Sequence, residues 1–322
     1  MKKNITLLIF IAIFLVITVT ASNEMGAYTD DGQNEETATA KTDNEEEETR
    51  KSYEETTLYL QELVDRSLYL RWRLAGMELE DKISAESFMV AKMSDQPLVY
   101  LKKNSDRRYP LASITKLMSS VVAAENIDKN ETIVLTEPML RSYGHSPSLF
   151  PGARVRAYDL MMASLIQSTN DASECLTYFM DAGVFLELMN LKAGEIGMQN
   201  SLFIDAHGLS PHNRATAFDV VKLLEYIYEE HPEILEMTKV ENFRLPDAHG
   251  RLLTFRNLNT FHNIPYFIGG KTGYLPEAKQ TYTSMFNIGG EIYAVVILMS
   301  DNRRADLDAI FQWLNKNPRL RN

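Results

Sequence analysis

Three short motifs carry side chains that together could perform nucleophilic catalysis: Ser113-Ile-Thr-Lys116, Ser168-Thr-Asn170 and Lys271-Thr-Gly273. A serine hydroxyl is a weak nucleophile at neutral pH and needs a base within hydrogen-bond reach. On a helix, a lysine three residues after a serine lies on the same face. Lys116 can act as that base only if burial or a neighbouring cation moves its pKa toward neutrality. The first motif alone is also compatible with a serine at a helix start and a solvated lysine.

The residues around the first motif predict a helix over residues 111–125. Its buried side would consist of Leu117, Met118, Val121, Val122 and Ala124. Such apolar flanks favour burial of Lys116, and Lys271 is a candidate for the neighbouring cation. The free N–H groups at the start of the helix would favour a developing oxyanion.

The second motif lies where two predicted helices meet. An apolar helix over residues 157–167 ends at a turn-forming cluster, residues 168–171, and another helix begins near Ala172. At such a corner Ser168 could pass a proton to a leaving amine, and Asn170 could hold a substrate amide. Helix capping by Ser, Thr, Asn and Asp is the alternative when this motif is considered alone.

The third motif belongs to a predicted strand over residues 267–274, whose glycines allow another backbone to approach closely. An extended ligand could add to this edge as a further strand. Lys271 and Thr272 supply a cation and a hydroxyl, which suit a carboxylate. A glycine-rich strand end with a solvated lysine remains the alternative for this motif in isolation.

The three motifs in this order resemble the low-molecular-mass penicillin-binding proteins, specifically the serine D-Ala-D-Ala carboxypeptidase family. The resemblance extends over residues 84–313, nearly all of the foldable chain. It includes these further stretches: Arg108-Tyr-Pro-Leu-Ala before Ser113, Pro151-Gly-Ala-Arg-Val155, Met189-Asn190, Gly197, residues 203–209, Ala215-Thr-Ala217 and Asp219.

This resemblance implies an acyl-enzyme mechanism. Ser113 would be the acylated nucleophile and Lys116 its general base, with Ser168 and Asn170 serving proton transfer and substrate positioning. Thr169 departs from the family, which commonly has a small residue there.

The resemblance also implies a substrate-binding strand. Lys271 and Thr272 would bind the terminal carboxylate of a peptidoglycan stem peptide, and Gly273 and Tyr274 would continue the strand beside it. The backbone N–H groups of Ser113 and Tyr274 would form the oxyanion hole. β-Lactam antibiotics are then expected to be covalent inhibitors.

The predicted elements indicate an α+β fold of the β-lactamase/penicillin-binding-protein type, an antiparallel sheet flanked by helices plus a mainly helical subdomain. Strands are predicted at both ends of the domain, with helices filling residues 111–179 between them. The remaining predicted strands are residues 87–91, 98–102, 280–287 and 291–300, and the remaining helices are residues 53–79, 217–230 and 304–315.

The N-terminal part of the chain predicts export to the cell envelope. Residues 5–21 are apolar and follow a short basic start, so residues 1–23 are a signal peptide, with a small-residue cleavage site at Val19-Thr-Ala21, or a retained membrane tether. Residues 24–55 contain twelve acidic and three basic residues and are expected to be a disordered linker. Residues 56–322 would form the D,D-peptidase catalytic domain.

Composition excludes several other classes of function. The only cysteine, Cys175, cannot form an intramolecular disulfide and is predicted to be a buried structural thiol. The six histidines show no zinc-protease spacing, so neither a metal nor a cofactor is expected; His145 and His207 could approach the cleft, although structural or surface roles are favoured. No basic cluster suggests a nucleic acid partner.

Three other functions stay open at this point. A D,D-endopeptidase acting on peptidoglycan cross-links would need the same motifs. A class A-like β-lactamase would need a deacylating glutamate; Glu187 resembles one in local sequence but is predicted to lie inside a helix. A catalytically silent peptidoglycan-binding envelope protein would not need the intact motif set.

Overall fold

The computed structural model describes residue 47 and residues 50–60, 79–93, 98–142, 149–264 and 266–316. The chain divides into two units, Met1–Leu68 and Tyr69–Asn322. In the first unit residues 50–60 are helical, and ion pairs at i, i+4 spacing join Arg50 to Glu54 and Lys51 to Glu47. Such pairs stabilise a helical turn. Residues 50–55 are therefore helical where disorder was expected; apart from Glu47, the rest of the acidic segment lies outside the described residues.

The described part of the second unit mixes strands and helices along the chain. In chain order the elements are β1 (Ser87–Lys92), β2 (Leu98–Lys103), β3 (Tyr109–Pro110), α1 (Thr115–Asn126), β4 (Thr132–Val134), β5 (Arg154–Arg156), α2 (Ala157–Ile166), α3 (Asn170–Thr177), α4 (Ala182–Glu195), β6 (Arg214–Ala215), α5 (Ala217–Glu230), α6 (Pro232–Lys239), β7 (Asn242–Pro246), β8 (Leu252–Arg256), β9 (Phe267–Leu275), β10 (Lys279–Ile288), β11 (Glu291–Ser300) and α7 (Arg303–Lys316). Single 3-10 turns occupy Ala112–Ile114 and Glu137–Leu140.

The main sheet has five strands in the order β2-β1-β11-β10-β9, and every neighbouring pair is antiparallel. This confirms the predicted α+β fold with an antiparallel sheet built from both ends of the domain. β9, which carries the third motif, is an edge strand. Its register with β10 pairs Lys271 with Thr283 and Gly273 with Thr281.

The two faces of the sheet pack against different helices because successive side chains of a strand point to opposite faces. On β11, Val296 and Leu298 belong to the large core shared with α1, α2 and α5. Val295 and Ile297 point the other way, into a smaller core that includes residues of α7 such as Leu307. Because helices pack against both faces of the sheet, its edge strand β9 is fixed in position relative to the helical subdomain.

The prediction that helices fill residues 111–179 is wrong in one part. β4 and β5 form a short antiparallel pair between α1 and α2, with Ile133 opposite Val155. The sequence also did not predict the β7–β8 hairpin, in which Leu245 pairs with Leu253 and Phe243 with Phe255. These strands have three to five residues, too short for alternation to be distinguished from a loop.

Within the described residues, no helix has both the length and the apolar character to cross a membrane. The apolar stretch at residues 5–21 lies outside the described residues, as do His145 and residues 61–78 of the predicted helix over 53–79.

Candidate active site

Ser113 lies in a 3-10 turn that immediately precedes α1, and not in the first turn of an α-helix over residues 111–125 as the sequence predicted. The turn is held from both sides: the N–H of Leu111 donates to Asn213 O at 2.9 Å, and the hydroxyl of Thr281 donates to Leu111 O at 3.0 Å. Ala112 has a φ of 49°, in the left-handed region that is unfavourable for a residue with a Cβ. The surrounding contacts therefore fix a backbone conformation that the local sequence would not choose.

Glycine is required beside this turn. Gly208 has a φ of 84°, and a Cβ there would overlap the carbonyl of Ala112. The loop of residues 205–210 is shaped by the carboxylate of Asp205, which accepts from the backbone N–H groups of His207 at 3.1 Å and Ser210 at 2.7 Å. Such a carboxylate replaces backbone partners that the loop lacks.

Lys116 is fully buried one turn after Ser113 and bonds to two other parts of the site. Its Nζ lies 3.1 Å from Ser113 Oγ and 2.8 Å from Asn170 Oδ1, and it donates to the backbone carbonyl of His207. Burial lowers the pKa of Lys116 to about 7, while the negative charge of Asp205 acts in the opposite direction. A lysine with this pKa is neutral in an appreciable fraction of molecules at physiological pH and can accept a proton.

Ser168 occupies the corner between α2 and α3 with a φ of 59°. Its hydroxyl accepts a hydrogen bond from Lys271 Nζ at 2.9 Å, and the same nitrogen donates to Thr272 O at 3.0 Å. Burial lowers the pKa of Lys271 well below its ordinary value, and the nearby positive charges of Lys116 and Arg303 lower it further. The second and third motifs are thus joined directly.

β9 passes close to the backbone of the serine turn. A Cβ on Gly273 would lie 2.9 Å from the nitrogen of Ser113 and 3.1 Å from Ala112 Cβ, and it would overlap the hydroxyl of Thr281. Thr272 is buried, whereas Tyr274 is 65% exposed. The structure therefore brings all eight predicted site residues together at the edge of the sheet.

Arg303 is a member of the site that the sequence did not predict. It lies at the start of α7, and its guanidinium donates to Gly273 O at 2.8 Å. Burial lowers its pKa. Because Arg303 comes thirty residues after Gly273 and belongs to none of the three motifs, only the antiparallel return of β10 and β11 places it there.

Other residues considered from the sequence lie beside the site or away from it. His207 is next to Lys116 through its carbonyl, and its Nδ1 accepts from the N–H of Leu209 at 3.2 Å. Glu187 lies inside α4, as expected. Cys175 is buried, and burial raises the pKa of its thiol to about 12, which agrees with a structural thiol. Among the described residues, no cluster of His, Cys, Asp or Glu is arranged to hold a metal ion.

Solved structures share this fold. A D-alanyl-D-alanine carboxypeptidase from Mycobacterium tuberculosis superposes with a TM-score of 0.66 over 71% of this chain and 90% of its own, at 23% identity. Penicillin-binding protein D2 from Listeria monocytogenes, in its cefotaxime-bound form, superposes with a TM-score of 0.63 over 72% and 96%, at 23% identity. The architecture is that of a penicillin-binding protein, as the sequence predicted.

The family follows from the sequence comparison. The model of the peptidase S11 family, described as D-alanyl-D-alanine carboxypeptidase, matches residues 75–302, and the chain belongs to this family. A D-alanyl-D-alanine endopeptidase from Pseudomonas aeruginosa is 28% identical over 254 residues, 74% of this chain and 80% of the relative. The D-alanyl-D-alanine carboxypeptidase DacB2 from Mycobacterium tuberculosis is 25% identical over 218 residues, 66% and 74% respectively. Family membership confirms the predicted class of enzyme, a serine-type D-Ala-D-Ala carboxypeptidase.

Proposed function

We propose that this protein removes the terminal D-Ala from peptidoglycan pentapeptides through an acyl-enzyme on Ser113. The observation that carries the proposal is the 3.1 Å contact between Ser113 Oγ and the buried Lys116, whose pKa is about 7. A neutral amine at hydrogen-bond distance is what a serine nucleophile requires. The family supplies the substrate class, and the contact supplies the means of activating the serine.

In the acylation step, Ser113 Oγ attacks the carbonyl carbon of the penultimate D-Ala, and Lys116 takes the hydroxyl proton. The N–H groups of Ser113 and Tyr274 stabilise the oxyanion that forms. When the tetrahedral intermediate collapses, the carbon–nitrogen bond breaks and the leaving D-Ala nitrogen takes a proton from Ser168. The proton that Lys116 took from Ser113 then returns to Ser168, so Lys116 is neutral again before deacylation, and Lys271 Nζ, 2.9 Å from Ser168 Oγ, holds this hydroxyl in place.

In the deacylation step, water attacks the ester carbonyl and gives its proton to Lys116. The ester carbon–oxygen bond breaks, Ser113 Oγ regains its proton and the shortened peptide leaves. Asn170, whose side-chain oxygen is 2.8 Å from Lys116 Nζ, keeps this amine in position during both steps.

Lys271 and Thr272 are proposed to bind the free carboxylate of the terminal D-Ala. The pKa of Lys271 is low without a ligand because burial and two neighbouring cations disfavour its charge. A bound carboxylate would supply the missing negative charge and favour the ammonium form. The site would therefore accept a free acid more readily than a neutral chain end.

Endopeptidase cleavage of cross-links is the second candidate for this site. The observation that favours it is that the Pseudomonas aeruginosa relative, matched over 80% of its length, is an endopeptidase. A β-lactamase is less well supported, because Glu187, the glutamate considered for deacylation, lies within α4. A catalytically silent binding protein would not need a buried lysine at the serine.

The substrate places the working enzyme in the cell envelope. We propose that residues 1–23 deliver it there, either as a cleaved signal peptide or as a retained tether, and that residues 24–55 link this segment to the catalytic domain over residues 56–322. Fractionation of cells expressing the full chain, with N-terminal sequencing of the mature protein, distinguishes the cleaved form from the tethered one.

Product analysis tests the proposed function directly. Purified protein is incubated with a pentapeptide muropeptide and, separately, with cross-linked muropeptide dimers, and the Ser113→Ala variant is the control. Release of D-Ala from the pentapeptide, absent in the variant, is expected. Cleavage of dimers alone would replace the carboxypeptidase assignment with the endopeptidase one. Cleavage of neither substrate, with no covalent penicillin adduct on Ser113, would leave only the silent binding protein.

A further inference from the structure

The outward face of the β7–β8 hairpin carries two arginines that have no partner in the described part of the chain. Arg244 and Arg256 are exposed, and neither side chain makes an ion pair or hydrogen bond with another described residue. Arg244 lies directly opposite Thr254, so Arg256, two residues further along β8, is its diagonal neighbour. Diagonal neighbours lie within reach of long side chains, and two like charges there repel each other unless an anion lies between them.

The two arginines line a cavity of about 400 Å³, a size typical of small-ligand sites. Its other lining residues are polar: Glu241, Asn242, Thr254, Asn257 and His262. His262 Nδ1 lies 2.6 Å from Asn259 O and donates to it, because a carbonyl oxygen can only accept. The other ring nitrogen, Nε2, is buried and has no hydrogen-bond partner among the described residues.

The cavity is joined to the active site by a short series of hydrogen bonds. Asn257, the residue after Arg256, donates to Thr238 O at 2.7 Å, and the hydroxyl of Thr238 accepts from the N–H of Gly270 at 2.9 Å. Gly270 immediately precedes Lys271. The N–H of Leu258 donates to Ile166 O at 3.0 Å, two residues before Ser168.

We infer that this cavity is a second anion subsite, which takes a carboxylate borne by the peptide part of the substrate rather than the terminal carboxylate. This inference rests on the proposed function. Two planar guanidinium groups bind a carboxylate in parallel hydrogen-bonded pairs. The carboxylate of Glu241 on the same cavity wall suits an ammonium group. The ligand is therefore a side chain that ends in a free α-amino acid group, as in a stem peptide with a diamino diacid.

A bare phosphate fits the cavity less well than this group. It would meet the two arginines, but it would also face the negative charge of Glu241. An amino acid group matches the arginines with its carboxylate and Glu241 with its ammonium group. The signs of the charges in the cavity thus select a zwitterion.

The test compares three pentapeptides that end in D-Ala-D-Ala and differ only at the third residue. One carries the free diamino diacid, one has its side-chain carboxylate amidated, and one has a lysine. We expect KM for the free acid to be lower by about three- to tenfold than for the other two, with kcat unchanged, because the group binds equally in the ground and transition states.

Three variants locate the effect. Arg244→Gln and Arg256→Gln remove one guanidinium each, and Thr254→Glu places a carboxylate directly opposite Arg244, where it neutralises the pair. Each should raise KM for the free acid to the level of the amide while acylation by penicillin stays normal. Arg251→Gln is the matched control, because this arginine belongs to the same hairpin but is paired with Asp247 outside the cavity; it should keep the preference.

Two results would overturn the inference. A preference that persists in all three variants, or no preference in the unmodified protein, would show that the cavity does not bind this group. Stronger competition by inorganic phosphate than by the free diamino diacid would assign the cavity to phosphate instead. Failure of the proposed function would be recognised separately, since none of the three pentapeptides would then be cleaved.

Discussion

The Cβ position of Gly273 lies 2.9 Å from the backbone nitrogen of Ser113, so the substrate-binding strand and the nucleophile turn meet with no room for a side chain. This contact ties the first motif to the third, although 160 positions separate them in the sequence.

Gly273→Ala should abolish acylation, because the added methyl group would overlap Thr281 and push β9 away from Ser113. We expect at least about a hundredfold loss in the rate of covalent labelling by a fluorescent penicillin, the size typical of losing oxyanion stabilisation. Gly194→Ala is the matched control: it lies in α4 with nothing within 4 Å of its Cβ position. It should label normally and gain about 0.5–1 kcal/mol in the free energy of unfolding. Equal labelling by both variants would contradict the close approach.

Lys116→Arg should lose acylation almost completely while keeping a positive charge. A guanidinium does not lose its proton in proteins and cannot serve as the base. Stopped-flow or time-resolved penicillin labelling measures the loss, and Lys239→Arg, on the exposed side of α6, is the control. Mass spectrometry should place the adduct of the unmodified protein on Ser113 and find none in Ser113→Ala. Near-normal labelling of Lys116→Arg would refute the assignment of the base.

The rate of acylation should rise with pH through the pKa of Lys116, about 7, because only the neutral amine accepts the serine proton. The charge of Asp205 raises this pKa. Asp205→Asn should therefore move the acid limb of the pH–rate profile to lower pH, so that the variant keeps relatively more activity below pH 7. A shift of the limb to higher pH would show that Asp205 does not act on Lys116 through its charge. Circular dichroism checks that the loop variant is folded.

The penicilloyl-enzyme should persist. A glutamate that activates water for β-lactam hydrolysis would have to face the ester. Glu187, the residue considered for this role, is part of the helix α4 and not of a loop. We expect stable labelling and slow release, followed by intact-protein mass spectrometry over hours. Rapid multiple turnover of nitrocefin would mean that the protein acts as a β-lactamase.

Thr272→Val should weaken cleavage of peptides that end in a free carboxylate more than cleavage of amidated analogues. Hydrogen bonds to a charged group contribute about 1.5–3 kcal/mol, so kcat/KM should fall by roughly ten- to a hundredfold for the free acid. Thr132→Val, on the remote strand β4, provides the control for the substitution itself. An equal loss on both kinds of substrate would remove the carboxylate role and favour the endopeptidase alternative.

The sequence by itself determined the chemistry and most of the long elements. Ser113 and Lys116 are three positions apart, so a single helical turn brings them together without any tertiary information. Strands over residues 280–287 and 291–300 were predicted because two runs rich in apolar residues flank Gly289-Gly290, a pair typical of hairpin turns. The family resemblance is also visible in the sequence alone, because each of its three motifs is a short run of consecutive residues.

Only the tertiary structure decided how the motifs meet. The left-handed backbone of Ala112 is imposed by contacts from Asn213 and Thr281, which are about a hundred or more positions away. Arg303 reaches Gly273 only because two strands intervene, and no local pattern marks it. The lowered pKa of Lys116 likewise arises from burial by distant segments. Local sequence can specify a residue's type and its helical neighbours, but desolvation and long-range contact depend on the folded chain.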